Sequence, residues 1–127
     1  MGIKVHWENQ ERTIIRQVLK GRWTVEEYLH SAEKIYKLLN GLPHIVHLII
    51  DARESDGIPA NFLSIARQLD QLVANNQGLV LAIIPDPHSR TIVQAARRIA
   101  PRATRDLHYV DHLSDAYQMI DHLAETV

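Results

Sequence analysis

The sequence predicts an α/β domain in which helices pack on a mainly parallel central sheet, and three patterns support this. Residues 3–8 and 12–21 alternate apolar and polar side chains, which is typical of half-buried strands. Residues 45–50 and 79–84 are almost continuously apolar, which favours strands covered on both faces, as in a parallel sheet. Between the strands, apolar residues recur three and four positions apart, as on one face of a helix.

The first two strands are joined by the short polar segment Asn9-Gln10-Glu11 and predict a hairpin. Thr24 and Glu27 have the spacing of a capping box, in which each side chain accepts a hydrogen bond from a free amide of the first turn. The first helix is therefore expected from Val25 to about Leu39. Asn40-Gly41 ends it, because glycine takes a left-handed cap conformation without a side-chain clash.

The strand at 45–50 is predicted to end at Asp51, at its carboxyl end. A second helix is expected to start near Pro59, since proline is favoured at a first helical position. Residues 52–59 would then form an exposed polar loop, ARESDGIP. The inward face of the second helix is predicted from six apolar residues: Phe62, Ile65, Ala66, Leu69, Leu72 and Val73.

A third helix is expected from about His88 to Ala100, after Pro85-Asp86-Pro87, and a last short strand at 106–110. Ser114 is predicted to cap the final helix. Its inward residues would be Ala116, Tyr117, Ile120 and Leu123. The order β-β-α-β-α-β-α-β-α implies parallel crossovers in one domain, residues 1–127.

Composition excludes several classes of protein. The 127 residues can bury a core without disulfides or metal. The absence of cysteine excludes thiol catalysis and thiolate metal sites, and it fits a reducing compartment. A formal net charge of -1, from 14 basic and 15 acidic residues, disfavours nucleic-acid and membrane-surface binding. No signal-peptide core and no membrane-length apolar run is present, so a cytoplasmic protein without cofactor is expected.

Four segments carry a family resemblance: LIID at 48–51 with the loop and helix that follow it, Gly21 with the Thr24–Glu27 helix start, LVLAII at 79–84, and HYVDHLSDAYQMI at 108–120. Together with the order of elements, they resemble the STAS family (sulfate-transporter and anti-sigma-factor-antagonist domains), including its SpoIIAA-like groups. The resemblance covers nearly the whole chain. It implies a single STAS-like domain that acts as a non-enzymatic bacterial regulatory module and binds a protein partner.

Many members of that family are switched by phosphorylation in an Asp-Ser-Ser/Thr-Gly motif after the central strand. Aligned on Asp51, that motif falls on Pro59-Ala60-Asn61-Phe62, which does not match it. The nearest alternative, Ser55-Asp56-Gly57, has its serine one residue off. The chain therefore departs from the phospho-switch pattern. Ser55 stays a candidate phosphoacceptor, because it is the only hydroxyl in the predicted loop and a phosphate there would add about two negative charges.

The predicted loop lies where open α/β sheets place binding sites. Asp51, Glu54 and Asp56 beside Arg53 suit acid–base chemistry or a hard cation, but a solvated loop in which Asp51 caps local amides is the favoured interpretation, because no nucleophile or second set of ligands is fixed by spacing. The predicted interaction surface consists of Asp51, Arg53, Glu54, Ser55, Asp56, Asn61 and Phe62.

A second candidate site is the helix start at His88, Ser89 and Arg90, where free amides and the positive helix end suit an anion. The alternative is an ordinary helix start capped by Asp86. The eight histidines predict no metal site, because His44 and His47, three apart on a strand, point to opposite faces.

The leading hypothesis is therefore a non-enzymatic regulatory or protein-interaction module whose partner is another protein or a second copy of the chain. Two alternatives remain. One is a domain that binds a small anion or nucleotide at the helix start Pro85–Arg90. The other is a small hydrolase-type enzyme that uses Asp51.

Overall fold

The computed structural model describes the backbone of residues 2–125 and side chains as far as Leu123. Its elements are β1 (Ile3–Trp7), β2 (Ile14–Gly21), α1 (Val25–Asn40), β3 (Val46–Ser55), α2 (Ala66–Leu72), β4 (Gln77–Ile83), α3 (Pro87–Ile99), β5 (Leu107–Tyr109) and α4 (Leu113–Glu125). A 3-10 helix, Ala60–Ile65, leads into α2. The predicted α/β class and order of elements are confirmed.

The five strands form one mixed sheet in the order β1-β2-β3-β4-β5, so each strand lies beside the one that precedes it in the chain. β1 is antiparallel to β2, which confirms the predicted hairpin. The pairings of β2 with β3, β3 with β4 and β4 with β5 are parallel. Consequently β3 lies in the middle of the sheet.

Three helices cover one face of the sheet and α4 covers part of the other. Each parallel connection steps to the next strand in the same direction, and right-handed crossovers then bring α1, α2 and α3 to one side. Those helices contact one another in sequence, and their core includes Ile15, Leu19 and Val80. On the opposite side, Ala116 and Ile120 of α4 pack on the sheet.

The first helix begins as predicted and ends differently. Thr24 Oγ1 accepts a hydrogen bond from the Glu27 amide at 3.1 Å, and Glu27 Oε1 accepts from the Thr24 amide at 3.3 Å, which completes the capping box. Gly41 has φ -85°, so the expected left-handed cap is wrong. Its N–H instead donates back to the carbonyls of Leu38 and Leu39.

Two other predicted helix starts need correction. The segment after Pro59 is not one continuous helix: no side chain caps its first amides, and it stays in 3-10 geometry until α2 begins at Ala66. α4 begins at Leu113, so Ser114 lies in its first turn and does not precede it. The Asp115 carboxylate accepts from the His112 amide there, at 3.2 Å. Leu123, predicted to face inward, is 39% exposed.

Within residues 2–125, no helix combines the length and the apolar character that crossing a membrane would need.

Candidate functional site

Asp51 lies inside β3 and not at its end, which corrects the predicted boundary. β3 continues to Ser55 because its last residues still pair with β2, where Lys20 lies opposite Glu54. Asp51 is consequently buried, with 4% of its surface exposed. The predicted eight-residue loop is reduced to residues 56–59.

Asp51 belongs to a charged ladder, formed by Glu8, Arg16, Asp51 and Arg53, on the face of the sheet that carries α4. Arg53 binds both carboxylate oxygens of Asp51, with Nε at 2.9 Å from Oδ1 and Nη2 at 2.7 Å from Oδ2. Arg16 bridges the two acids, with Nη1 at 3.3 Å from Asp51 Oδ2 and Nε at 3.2 Å from Glu8 Oε1. The ladder therefore links β2 and β3 to the residue that directly follows β1.

Two further side chains reach Glu8 at the end of the ladder. His6 Nε2 lies 3.0 Å from Glu8 Oε2, and the Tyr117 hydroxyl of α4 donates to Glu8 Oε1. Burial, with the neighbouring Glu8 carboxylate, raises the pKa of Tyr117 to about 12. Tyr117 is therefore a neutral donor that fixes α4 against β1.

The electrostatics of Asp51 suit an ion pair better than a catalytic base. Burial alone would raise the pKa of Asp51, but hydrogen bonds from Arg53 and the charges of Arg53 and Arg16 outweigh it and lower the pKa below its usual range. The carboxylate is therefore ionised and weakly basic at neutral pH. Because both of its oxygens already accept from arginines, a proton transfer would have to break the ladder.

Ser55 lies at the end of β3, where its hydroxyl is fully engaged. It accepts from Trp23 Nε1 at 2.9 Å and from the Gly57 amide at 3.1 Å, and it donates to the Gly57 carbonyl at 3.2 Å. The side chain is half-buried. Phosphorylation of Ser55 would require these bonds to open.

The other predicted interaction residues divide into a buried and an exposed group. Phe62 is 7% exposed and packs edge-on against Trp23 and Tyr28, with ring centroids 6.4 Å and 5.0 Å away. Phe62 thus joins the core, as Asp51 joins the ladder. A partner that approached this region would meet the exposed residues, which are Arg53, Glu54, Asp56 and Asn61.

The predicted anion site at the start of α3 is filled by the protein's own carboxylate. Asp86 accepts from the His88 and Ser89 amides at 3.3 Å and 3.1 Å, which is the capped helix start offered as the alternative. A hydrogen bond from Ser89 and those amide bonds lower the pKa of Asp86, so it is ionised. An added anion would compete with a negative charge already at these amides.

Arg90 is turned away from that helix start. Its Nε donates to the Ile84 carbonyl at 2.6 Å, and its guanidinium lies 5.2 Å from the centre of the Tyr109 ring. Nη2 is 3.7 Å from the Asp111 carboxylate. Arg90 therefore braces α3 against the end of β5.

Ser89 connects the two predicted sites. Its side chain is 1% exposed, and its hydroxyl donates to Asp86 Oδ2 at 2.7 Å and accepts from the Ile58 amide at 2.9 Å. This bond holds the loop after β3 against the turn after β4. The result is a carboxyl-edge surface, which we define by its exposed residues Glu54, Asp56, Asn61, Asp86 and His88.

Sequence reasoning missed Glu8 and Arg16 as members of the ladder, Tyr117 as the donor to Glu8, and Trp23 as the partner of Ser55. A partial signal existed for Arg16, because the alternation of a strand puts it on the same face as the apolar Ile14 and Val18. A buried charge in that position needs a partner. For Tyr117 no local signal existed, because it is 109 residues from Glu8.

Among residues 2–125, no group of three or more histidine, aspartate or glutamate side chains is placed to hold a metal ion. His47 instead accepts from the Leu79 amide through Nδ1 at 3.0 Å, and burial lowers its pKa.

Comparison of the chain with protein-family models, with curated proteins and with solved structures finds no match.

Proposed function

We propose that this protein is a non-enzymatic interaction module, STAS-like in its arrangement and cytoplasmic, that binds a protein partner through the carboxyl-edge surface. The observation that carries the proposal is the Ser89 hydrogen bond to Ile58, which joins two exposed loops into one surface. Loops that are fixed before binding lose little conformational entropy when a partner docks, and that favours affinity.

The chemistry of the surface indicates the kind of partner. Glu54, Asp56 and Asp86 give it three exposed carboxylates, and Asn61 adds an amide that can donate and accept. A partner with basic groups complements these charges, and such complementarity contributes more to association rate and specificity than to affinity.

The ladder and the helix cap make the two alternatives weaker. An enzyme built on Asp51 would use a carboxylate held by two arginines. An anion at the start of α3 would face Asp86. A macromolecule can bind to the exposed surface while the Asp51 carboxylate keeps its two arginines and the amides at the start of α3 keep Asp86. Interaction is therefore the function that this geometry supports best.

The proposal is tested with a charge-reversal variant and a matched control. Tagged protein comprising residues 1–127 captures partners from a lysate of the encoding organism, and each purified partner is then titrated directly. Asp56→Arg should weaken binding at least tenfold. Glu33→Arg, the same change on an exposed position of α1, should bind like the wild type.

Native mass spectrometry of the same proteins covers the case in which the partner is a second copy. A dimer lost in Asp56→Arg and kept in Glu33→Arg would support self-association through this surface. The proposal fails if the wild type stays monomeric and captures nothing that binds directly, or if both variants weaken binding equally.

A further inference from the structure

β1 forms an edge of the sheet, and no other strand within the described residues 2–125 pairs with its outer side. The hydrogen bonds at its two ends show which of its backbone groups are free. The Lys20 amide donates to the Gly2 carbonyl at 2.7 Å and the Glu8 amide donates to the Ile14 carbonyl at 2.9 Å, so residues 2 and 8 face β2. Because that direction alternates in an antiparallel pair, residues 3, 5 and 7 direct their N–H and C=O groups outward. The outer edge of β1 is therefore a row of backbone donors and acceptors to which another strand can bind.

A groove of about 490 Å³ lies between this edge and α1. Its strand wall consists of residues 3–6 of β1, and its helix wall consists of Glu27, His30, Ser31 and Lys34. Neighbouring residues of a strand point to opposite faces of the sheet, so a groove lined by all of residues 3–6 is bounded by the edge of the strand. An extended segment that pairs with β1 would therefore lie in this groove, with α1 on one side.

The exposed side chains that line the groove are basic: they are Lys4 and His6 of β1, and His30 and Lys34 of α1. His6 already has an acidic neighbour, because its Nε2 lies 3.0 Å from Glu8 Oε2. Lys4 and Lys34 form no ion pair within the described part of the chain. Their ammonium groups are therefore available to a ligand.

The acidic residue of the groove is occupied by backbone amides. Glu27 Oε1 accepts from the Thr24 amide at 3.3 Å, and Glu27 Oε2 accepts from the Gly2 amide at 3.1 Å. Both carboxylate oxygens therefore hold the start of α1 and the residue before β1. A ligand that enters the groove meets the positive charge of the lysines.

These basic side chains disfavour a second copy of the chain as the strand that binds here. The fullest antiparallel pairing of two copies through the outer edge puts Lys4 opposite His6 of the second copy. A shift by one pair in either direction puts Lys4 opposite Lys4, or His6 opposite His6. Like charges directly opposite each other destabilise a strand pair, and an edge lysine protects against such self-pairing. A strand that carries carboxylates meets no such repulsion.

We propose that the outer edge of β1 binds an extended acidic peptide segment of another protein, which adds a strand to the sheet and places carboxylates beside Lys4 and Lys34. Backbone hydrogen bonds to residues 3, 5 and 7 supply affinity, and the lysines select for acidic side chains. This proposal is independent of partner binding at the carboxyl-edge surface, because no residue of that surface lines the groove.

The probe is the peptide Val-Glu-Glu-Val-Glu-Glu-Val, blocked at both ends. It is long enough to cover the five residues of β1, and its pattern puts glutamates on both faces of an added strand. The same peptide with lysine in place of glutamate is the charge control. Glutarate, a dicarboxylate without a peptide backbone, is the control for simple anion binding.

Binding is measured by NMR on the protein with labelled backbone amides. At a peptide concentration about tenfold above its dissociation constant, the amides of Ile3, Val5 and Trp7 should exchange with solvent about tenfold more slowly. The amides of Lys4 and His6 should change little, because they already bond to β2. This alternation is specific to an added strand, and glutarate should not produce it.

A charge-reversal variant and a matched control test the lysines. Lys34→Glu should weaken binding of the acidic peptide about tenfold and should bind the lysine peptide better than the wild type does. Lys37→Glu, the same change on an exposed position of α1 that does not line the groove, should bind both peptides like the wild type.

Four results would overturn the proposal. They are no saturable binding of the acidic peptide, equal affinity for the acidic and lysine peptides, glutarate effects that match those of the peptide, and protection of Ile3, Val5 and Trp7 that rises with protein concentration in the absence of peptide. The third result would indicate a small-anion site, and the fourth would indicate that a second copy occupies the edge.

Discussion

The hydroxyl of Ser55 links the end of β3 to the helix layer through the indole of Trp23. Trp23 is 5% exposed and its ring also packs on Tyr28 and Phe62, so the bond to Ser55 fixes the edge of an aromatic cluster. A side chain that the sequence offers as a loop hydroxyl is therefore a packing determinant.

Ser55→Ala should lower the free energy of unfolding by about 1 kcal/mol, because Trp23 Nε1 and the Gly57 amide lose their acceptor. Urea denaturation followed by circular dichroism measures the change, and Trp23 fluorescence should shift in the native state. Ser64→Ala is the control, since that exposed hydroxyl donates only to the Asn61 carbonyl. Equal effects of the two variants would show that the Trp23 bond contributes nothing.

At the scale of elements, the bond from the Ile58 amide to Ser89 holds together loops that follow two different strands. Ser89 lies in the first turn of α3, and Ile58 precedes the 3-10 helix. Both residues are buried, so the amide has no access to water when the serine is removed.

Ser89→Ala should lower stability by about 1–3 kcal/mol, since a buried amide loses its acceptor. Hydrogen exchange of the Ile58 amide should become at least tenfold faster, because the loop separates from α3. Thr91→Ala, which removes an exposed hydroxyl from the next turn of α3, should leave that exchange rate unchanged. Unaltered protection of Ile58 in Ser89→Ala would contradict the proposed rigidity of the carboxyl-edge surface.

The sequence predicts elements well where a pattern is local and poorly where pairing decides. The hairpin and the capping box depend on neighbours within a few residues, and both are confirmed. The predicted end of β3 is too early because polar residues interrupt the apolar run from Asp51 onward. Glu54 and Ser55 remain extended because they pair with β2. The local sequence does not show that pairing.

At the scale of the whole molecule, stability should depend on pH through His47. Its Nδ1 accepts from the Leu79 amide, so the bound form of the ring is neutral, and burial lowers the pKa of His47 below its ordinary value of about 6.5. Above that ordinary value both the folded and the unfolded states are neutral. As pH falls below it, the unfolded state takes up the proton first, so the folded state loses stability until pH passes its own lower pKa.

Thermal unfolding measured from pH 7.5 to 5 should therefore show stability falling as pH falls, with a slope that His47→Gln reduces. Glutamine retains an oxygen that can accept from Leu79 but does not titrate in this range. NMR titration of the His47 ring should give a midpoint below about 6.5 in the native protein. An identical pH slope in the variant, or a midpoint above that value, would refute the assignment.

The site was less predictable than the fold because its contacts join distant parts of the chain. Arg16 and Asp51 are 35 residues apart, and they meet only because β2 and β3 pair in one register. The acidic cluster near Asp51 is visible in the sequence. The ion pairs of Asp51 with Arg16 and Arg53 are visible only in the fold, and they make the aspartate part of the ladder.

The order of the strands has a consequence for how the chain is made. Each strand emerges from the ribosome after its neighbour in the sheet, so a partner edge is already present when it appears. Short separations between paired segments lower the entropy lost on closing each loop. α4 follows all five strands in the chain, and the bond from its Tyr117 to Glu8 reaches back to the end of the first strand. We therefore expect that bond to form only after the whole sheet has been synthesised.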